Sequence, residues 1–148
     1  VLKTSQPSRL YVLDPVAAAA AAAPPSGLTL GIQRVTLPDW VDRPEITSRT
    51  AGGQIAPDEY ARWGEPIGRG MQRVIAENLA VLLPDRRVAR APYGARQAID
   101  HRLEIAFAEA ARQGDRTVLL DARWTVIGER GAVVVQKRST HRAGPAGD

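Results

Sequence analysis

Not one of the 148 residues is a cysteine, which excludes disulfide frameworks, thiolate metal sites and cysteine nucleophiles together. Long apolar runs are missing as well. The longest, Val16 to Ala23, is mostly alanine and ends in Pro24-Pro25, far short of the roughly 18 residues a membrane-crossing helix needs. Histidine occurs only as His101 and His141, without His-x-x-x-His spacing, so no metal centre is expected. None of the five serines lies in a Gly-x-Ser-x-Gly elbow, and Gly64, Gly68 and Gly70 lack the Lys and Ser/Thr of a phosphate loop. The adjacent acids Asp58-Glu59 read as a solvated turn rather than an acid–base pair, which would need a pocket. No cofactor and no enzymatic activity are expected.

What remains suits one globular domain: 44% apolar and 24% charged residues, with 13 glycines and 11 prolines, fit neither a collagen-like nor a wholly disordered chain. The net charge of +4 comes almost wholly from arginine, Lys3 and Lys137 being the only lysines. A basic chain raises the reading of a small nucleic-acid-binding module. Against it, the arginines are interleaved with acids, and the one tight group is Arg86, Arg87 and Arg90. A hydrolase with an unrecognised carboxylate site is a third reading.

Residues 1–8 are polar and aperiodic and read as a flexible tether. The chain opens on Val1 rather than Met, and an upstream segment carrying a signal is expected. Arg9 to Leu13 has strand composition and stops at Asp14-Pro15. Residues 16–27, with seven alanines and then Pro24-Pro25-Ser26-Gly27, read as a surface linker, since so short an alanine run is marginal as a helix. Leu28 to Leu37 alternates and predicts a strand, with Leu28, Leu30 and Ile32 on one face. A proline-bracketed turn, Pro38 to Pro44, leads into a hairpin, Glu45 to Thr50 and Gln54 to Ala56 about Gly52-Gly53.

Pro66 opens a helix whose apolar stripe is Ile67, Met71, Val74, Ile75, Leu79 and Leu82. Arg87 to Ala91 predicts a short strand. Three long strands then form a meander: one through Leu103, Ile105 and Phe107, one from Thr117 to Ile127, and one from Ala132 to Lys137, with turns at Gln113-Gly114-Asp115 and Gly128 to Gly131. Residues 141–148 read as a flexible tail. The fold class is α+β: a mixed, mainly antiparallel sheet whose three-strand meander packs on at least one amphipathic helix.

Trp124 is in register with Val118, Leu120, Ala122 and Val126, which makes it core; Arg123 and Asp121 point to the other face. With Ile67, Met71, Val74, Ile75 and Leu79 it should form the helix–meander interface. Trp40 and Trp63 lie among Pro, Asp, Arg and Glu, where an aromatic either staples a loop to the sheet or contacts a partner. Trp40, Asp39 and Arg43, with Trp63 and Glu65, are the candidate partner-binding residues.

The strings Arg9 to Pro15 (RLYVLDP) and Leu30 to Ile46 (LGIQRVTLPDWVDRPEI) resemble the PqiC/YmbA type of ABC-transport auxiliary lipoproteins. Arg49-Thr50, Trp63-Gly64-Glu65-Pro66-Ile67, Ala76-Glu77-Asn78-Leu79 and Leu120-Asp121-Ala122-Arg123-Trp124 match in the same order, and the resemblance implies one auxiliary lipoprotein domain over residues 9–140. The resemblance implies a periplasmic domain, anchored to the outer membrane by a lipidated cysteine upstream of this chain. It implies work with an MCE-domain transporter subunit in moving lipid between membranes and supporting membrane integrity, and no nucleic-acid partner. Three features depart from the pattern: the lipobox cysteine is not in this sequence, the family's usual final helix does not follow the meander, and the seven alanines are an insertion. Without that helix, apolar sheet surface is left for another copy to fill, so a homo-oligomer is possible.

Overall fold

Alternation at Leu103, Ile105 and Phe107 builds the central strand of the sheet, and everything else is placed relative to it. In this computed structural model, which describes residues 5–19 and 22–145, the strands are β1 (Arg9–Tyr11), β2 (Thr29–Ile32), β3 (Glu45–Arg49), β4 (Ile55–Trp63), β5 (Arg87–Arg90), β6 (His101–Gln113), β7 (Val118–Ile127) and β8 (Val133–Ala143). The helix α1 (Ile67–Leu82) lies between β4 and β5. One side of β6 pairs along its length with β7, which pairs with β8. Its other side is shared: β2 takes the start, at His101 to Leu103, and β3 takes the end, at Arg112 and Gln113. Beyond β2 lies β5, and beyond β3 lie β4 and then β1. The parallel pairings are short, while the antiparallel β6–β7 and β7–β8 ladders hold most of the paired residues. The mixed α+β architecture with a C-terminal meander is as the sequence pattern predicts.

Several boundaries differ from expectation, each for a local reason. The strand expected over Leu28 to Leu37 ends at Ile32. Gln33 N–H donates to Leu103 O, but it is Thr36 N–H that donates to Ile105 O, so one extra residue bulges out and reverses the alternation. Leu37 consequently lies against Gly68, at the start of α1. Asp58-Glu59 and Trp63 belong to β4 rather than to a turn or an irregular segment. The last strand runs on to Ala143, taking His141 to Ala143 out of the expected tail, because β7 offers ladder partners as far as Val118. Residues 1–4 of the expected tether and 146–148 of the tail lie outside the described residues.

The core is small and sits where α1 crosses β2, β5 and β6. Ile32, Ala76 and Leu103 are buried together, with Leu30, Ile75, Leu79, Val88, Ile105, Trp124 and Val126 packed around them. The other face of β2 is covered by the loop before β6. A side chain at Gly31 would sit 2.4 Å from the Tyr93 hydroxyl and 2.8 Å from Ile99, so glycine is what admits this second cover. The Tyr93 hydroxyl is buried there without a partner.

Candidate partner-binding surface

The Pro38–Pro44 turn is closed by its own backbone: Val41 N–H and Asp42 N–H both donate to Pro38 O, at 2.9 and 3.0 Å. Its anchor is Val41, 4% exposed, while Trp40 is half-buried and Asp39 and Arg43 are exposed. Arg43 Nε donates to Glu45 at 2.9 Å, and Arg62 approaches the other oxygen of that carboxylate at 3.4 Å. The hydrogen bond from Arg43 holds Glu45 below the usual carboxylate range. Trp63 N–H donates to Pro44 O, and Gly64 N–H to Tyr11 O, so the end of β4 is tied to both the turn and β1.

Glu65 is committed to the helix. Arg73 Nη2 donates to Leu13 O at 2.9 Å and lies 2.5 Å from Glu65 Oε1, and the hydrogen bond to that carboxylate raises the arginine pKa. A Cβ at Gly70 would come within 3.0 Å of Glu65 Oε1, so this glycine makes room for the pair. Further on, Asn78 Oδ1 accepts the Val16 and Ala17 N–H groups. The segment after β1 is thereby strapped along α1.

Of the five candidate residues, Arg43, Trp63 and Glu65 line one cleft of about 340 Å³ with Asp42, Pro44 and Ile67. Trp40 and Asp39 are on the same turn but outside that lining. On its other side Trp63 faces a larger apolar groove of about 470 Å³ between α1 and the sheet. Met71, Val74 and Ile75 form its helical wall, and Phe107, Val118 and Leu120 its floor. Arg112 is the one charged residue in its lining. A continuation of about 430 Å³ shares Ile75 and is bounded by Leu79, Ile105, Trp124 and Val126.

The helix stripe is thus split by function. Ile67 is buried at 2%; Met71, Val74, Ile75 and Leu79 are half-buried and face open groove. The deepest helical residues besides Ile67 are Gly70, Gln72 and Ala76, because α1 leans toward β5 and β2 rather than over the meander. Trp124 is half-buried at the groove's edge, its Nε1–H donating to Ser139 Oγ at 2.9 Å. The sequence reading passed over Gln72, Arg73 and Val41. The apolar periodicity marks Val41 only weakly, and polar residues that bridge elements leave no periodic signal.

On the opposite face Glu109, 7% exposed, is paired with Arg49 at 2.6 Å. Asp58 Oδ1 accepts the Tyr60 and Ala61 N–H groups at 2.8 Å each, the first of which chiefly lowers its pKa; this carboxylate shapes the strand. Arg86 approaches Asp85, and Arg87 and Arg90 close the two ends of β5. Among the described residues no three His, Asp or Glu side chains converge as a metal site.

No curated protein matches the sequence. Among solved structures, a crystal structure of an uncharacterized protein superimposes with a TM-score of 0.77 at 18% identity, over 97% of this chain and 84% of that one. Protein XCC0632 from Xanthomonas campestris, of the family DUF330, gives 0.78 at 15% identity, over 91% and 77%. PelC from Paraburkholderia phytofirmans, a dodecamer, is more distant at 0.52 and 17% identity, over 85% and 79%. These likenesses establish the shared fold. The model of the family described as the ABC-type transport auxiliary lipoprotein component matches residues 11–148, in agreement with the PqiC/YmbA resemblance, and the chain belongs to that family.

Proposed function

We propose that this domain is a non-enzymatic periplasmic component of an MCE-type ABC lipid transport system. In this reading it is held to the outer membrane through a lipidated cysteine upstream of residue 1, links the inner and outer membranes, and supports membrane integrity. The observation that carries the reading is the open, mainly apolar groove between α1 and the β6–β7 face, in whose lining Arg112 is the one charged residue. A transport auxiliary needs shaped surfaces for partners rather than an acid, a base or a nucleophile. The Trp40 turn, with Asp39, Arg43, Trp63 and Glu65, is the surface for the MCE-domain subunit, since its prolines and backbone bonds lower the ordering cost of binding. The fold shared with the PelC dodecamer supports self-assembly of this chain as well.

The test is expression of the full precursor in its own host with a labelled fatty acid, followed by envelope fractionation and affinity purification with the MCE-domain subunit. Lipidation, outer-membrane fractionation and co-purification are expected. Trp40→Ala should weaken the complex by about 1 to 3 kcal/mol with little change in Tm. An unlipidated cytosolic product would sink the proposal, and a large fall in Tm with the complex intact would make Trp40 a staple of the fold.

A further inference from the structure

Among the described residues, three strands leave one side of their backbone unpaired: β1, β5 and β8. Natural sheets keep such edges apart with charge, shortness or cover. β5 has four residues, with exposed Arg87 and Arg90 at its two ends, and is protected in this way. β1 is as short, three residues beginning with Arg9, but is apolar beyond that arginine, and β8 is long. Along and just after β1, Leu10, Tyr11 and Val12 are 69%, 42% and 55% exposed. β8 is eleven residues long without a proline, and it begins with Val133 and Val134, 63% and 60% exposed.

We infer that β1 of one copy adds to the β8 edge of the next, through Leu10 to Val12 and Val133 to Val135, in a head-to-tail contact between copies of this chain. The inference rests on the self-assembly proposed above and names its surface. Its occupant follows from charge and length. If two β8 strands paired with each other antiparallel along their whole length, Arg138 would face Arg138 at the centre, and like charges directly opposite are destabilising. Two β1 strands offer each other only three residues apiece. Pairing β1 with the start of β8 avoids the charge clash and sets the apolar side chains of β1 against Val133 to Val135, because Lys137, Arg138 and Arg142 lie beyond the valines, and Arg138 and Arg142 are already held by Asp121 and Asp115.

The sheet order places β1 and β8 at opposite ends of the path β1-β4-β3-β6-β7-β8. Each added copy therefore presents a fresh edge, and the assembly is heterologous: a ring if the rotation closes, a filament if it does not.

Light scattering on the full 148-residue chain tests this. The wild type should exceed its 15.9 kDa monomer mass severalfold as concentration rises. Leu10→Lys and Val134→Lys, each on an exposed side chain, should both be monomeric with unchanged Tm. Mixed in equal amounts, they should give a species of about twice the monomer mass, because one intact β1 edge and one intact β8 edge remain. An oligomer unaffected by either substitution would overturn this contact while leaving self-assembly standing. Loss of assembly in both variants without recovery on mixing would show a symmetric interface and overturn it too. A wild type that stays monomeric would overturn self-assembly and the contact together.

Discussion

Gln72 offers the sharpest check on how α1 is held to the sheet. It is 7% exposed, and its Nε2 donates to Ile32 O and to Ala91 O, both at 3.0 Å. Ile32 O also accepts Ala91 N–H at 2.9 Å, so it keeps a partner if the glutamine is removed, whereas Ala91 O does not. Two neutral hydrogen bonds contribute about 1 kcal/mol each, and leaving the half-buried Ala91 carbonyl without its partner costs up to about 1 kcal/mol more. Gln72→Met keeps most of the volume and should cost about 2 to 3 kcal/mol. Gln72→Ala adds a cavity and should cost about 1 kcal/mol beyond that.

Urea unfolding with unchanged slope would read the loss directly, and Tm should fall by about 4 to 10 °C for the methionine variant. Gln72→Glu adds a test of sign. An ionised carboxylate would face two carbonyl oxygens in a desolvated site, so its folded pKa must rise above the usual value of about 4.3. The folded state then holds the proton more tightly than the unfolded one. The deficit against wild type should therefore be smallest below about pH 4 and grow as pH rises through the folded pKa. A methionine variant within about 0.5 kcal/mol of wild type would refute the reasoning, and a loss confined to the alanine variant would show that volume, not hydrogen bonding, seats the helix.

Trp124→Ala should cost about 2 to 3 kcal/mol, below the range for a fully buried ring because Trp124 borders open groove, whereas Arg123→Ala on the exposed opposite face should stay within about 0.5 kcal/mol; chemical denaturation of the pair compares them. Asp121 is held below the usual carboxylate range by its hydrogen bond from Arg138, so its contribution is present above the unfolded pKa and lost as pH falls through the lower folded value. Asp121→Asn should be less stable at neutral pH and lose less stability than wild type on acidification, measured as Tm against pH. Glu65→Gln should loosen Arg73 from Leu13 O and expose the strap, which should speed elastase cleavage after Ala18 roughly fivefold, and an unchanged rate would show the strap is held elsewhere.

The meander and the helix were legible because each repeats over ten residues or more at the period of its element. Thirteen residues of β6 and sixteen of α1 override local exceptions. The short strands β1, β3 and β5 were read from composition and flanking turn residues, but interrupted elements were not. The bulge after Ile32 looks like continued alternation in the sequence, since one extra residue shows only when the ladder partner on β6 is known. β8 looks complete at Lys137 because Arg138 to Arg142 is polar on both faces, and only the β7 backbone carries the strand to Ala143. The candidate residues divided similarly: Arg43, Trp63 and Glu65 line one cleft, where Glu65 is also tied to Arg73, while Trp40 and Asp39 lie outside that lining.

Composition and period alone settled the class of this chain, the amphipathic helix and the meander, while specific motif strings in order carried the resemblance to the family. Those properties depend on residues near one another in sequence. Which face of the sheet the helix covers, which edges stay open, and where the apolar groove runs were decided only by the tertiary structure. They arise because β6 shares one side between β2 and β3, pairings made across tens of residues. α1 is drawn toward β2 and β5 by Gln72 and Ala76, which leaves Phe107, Leu120 and Trp124 beneath a helix that does not reach over them.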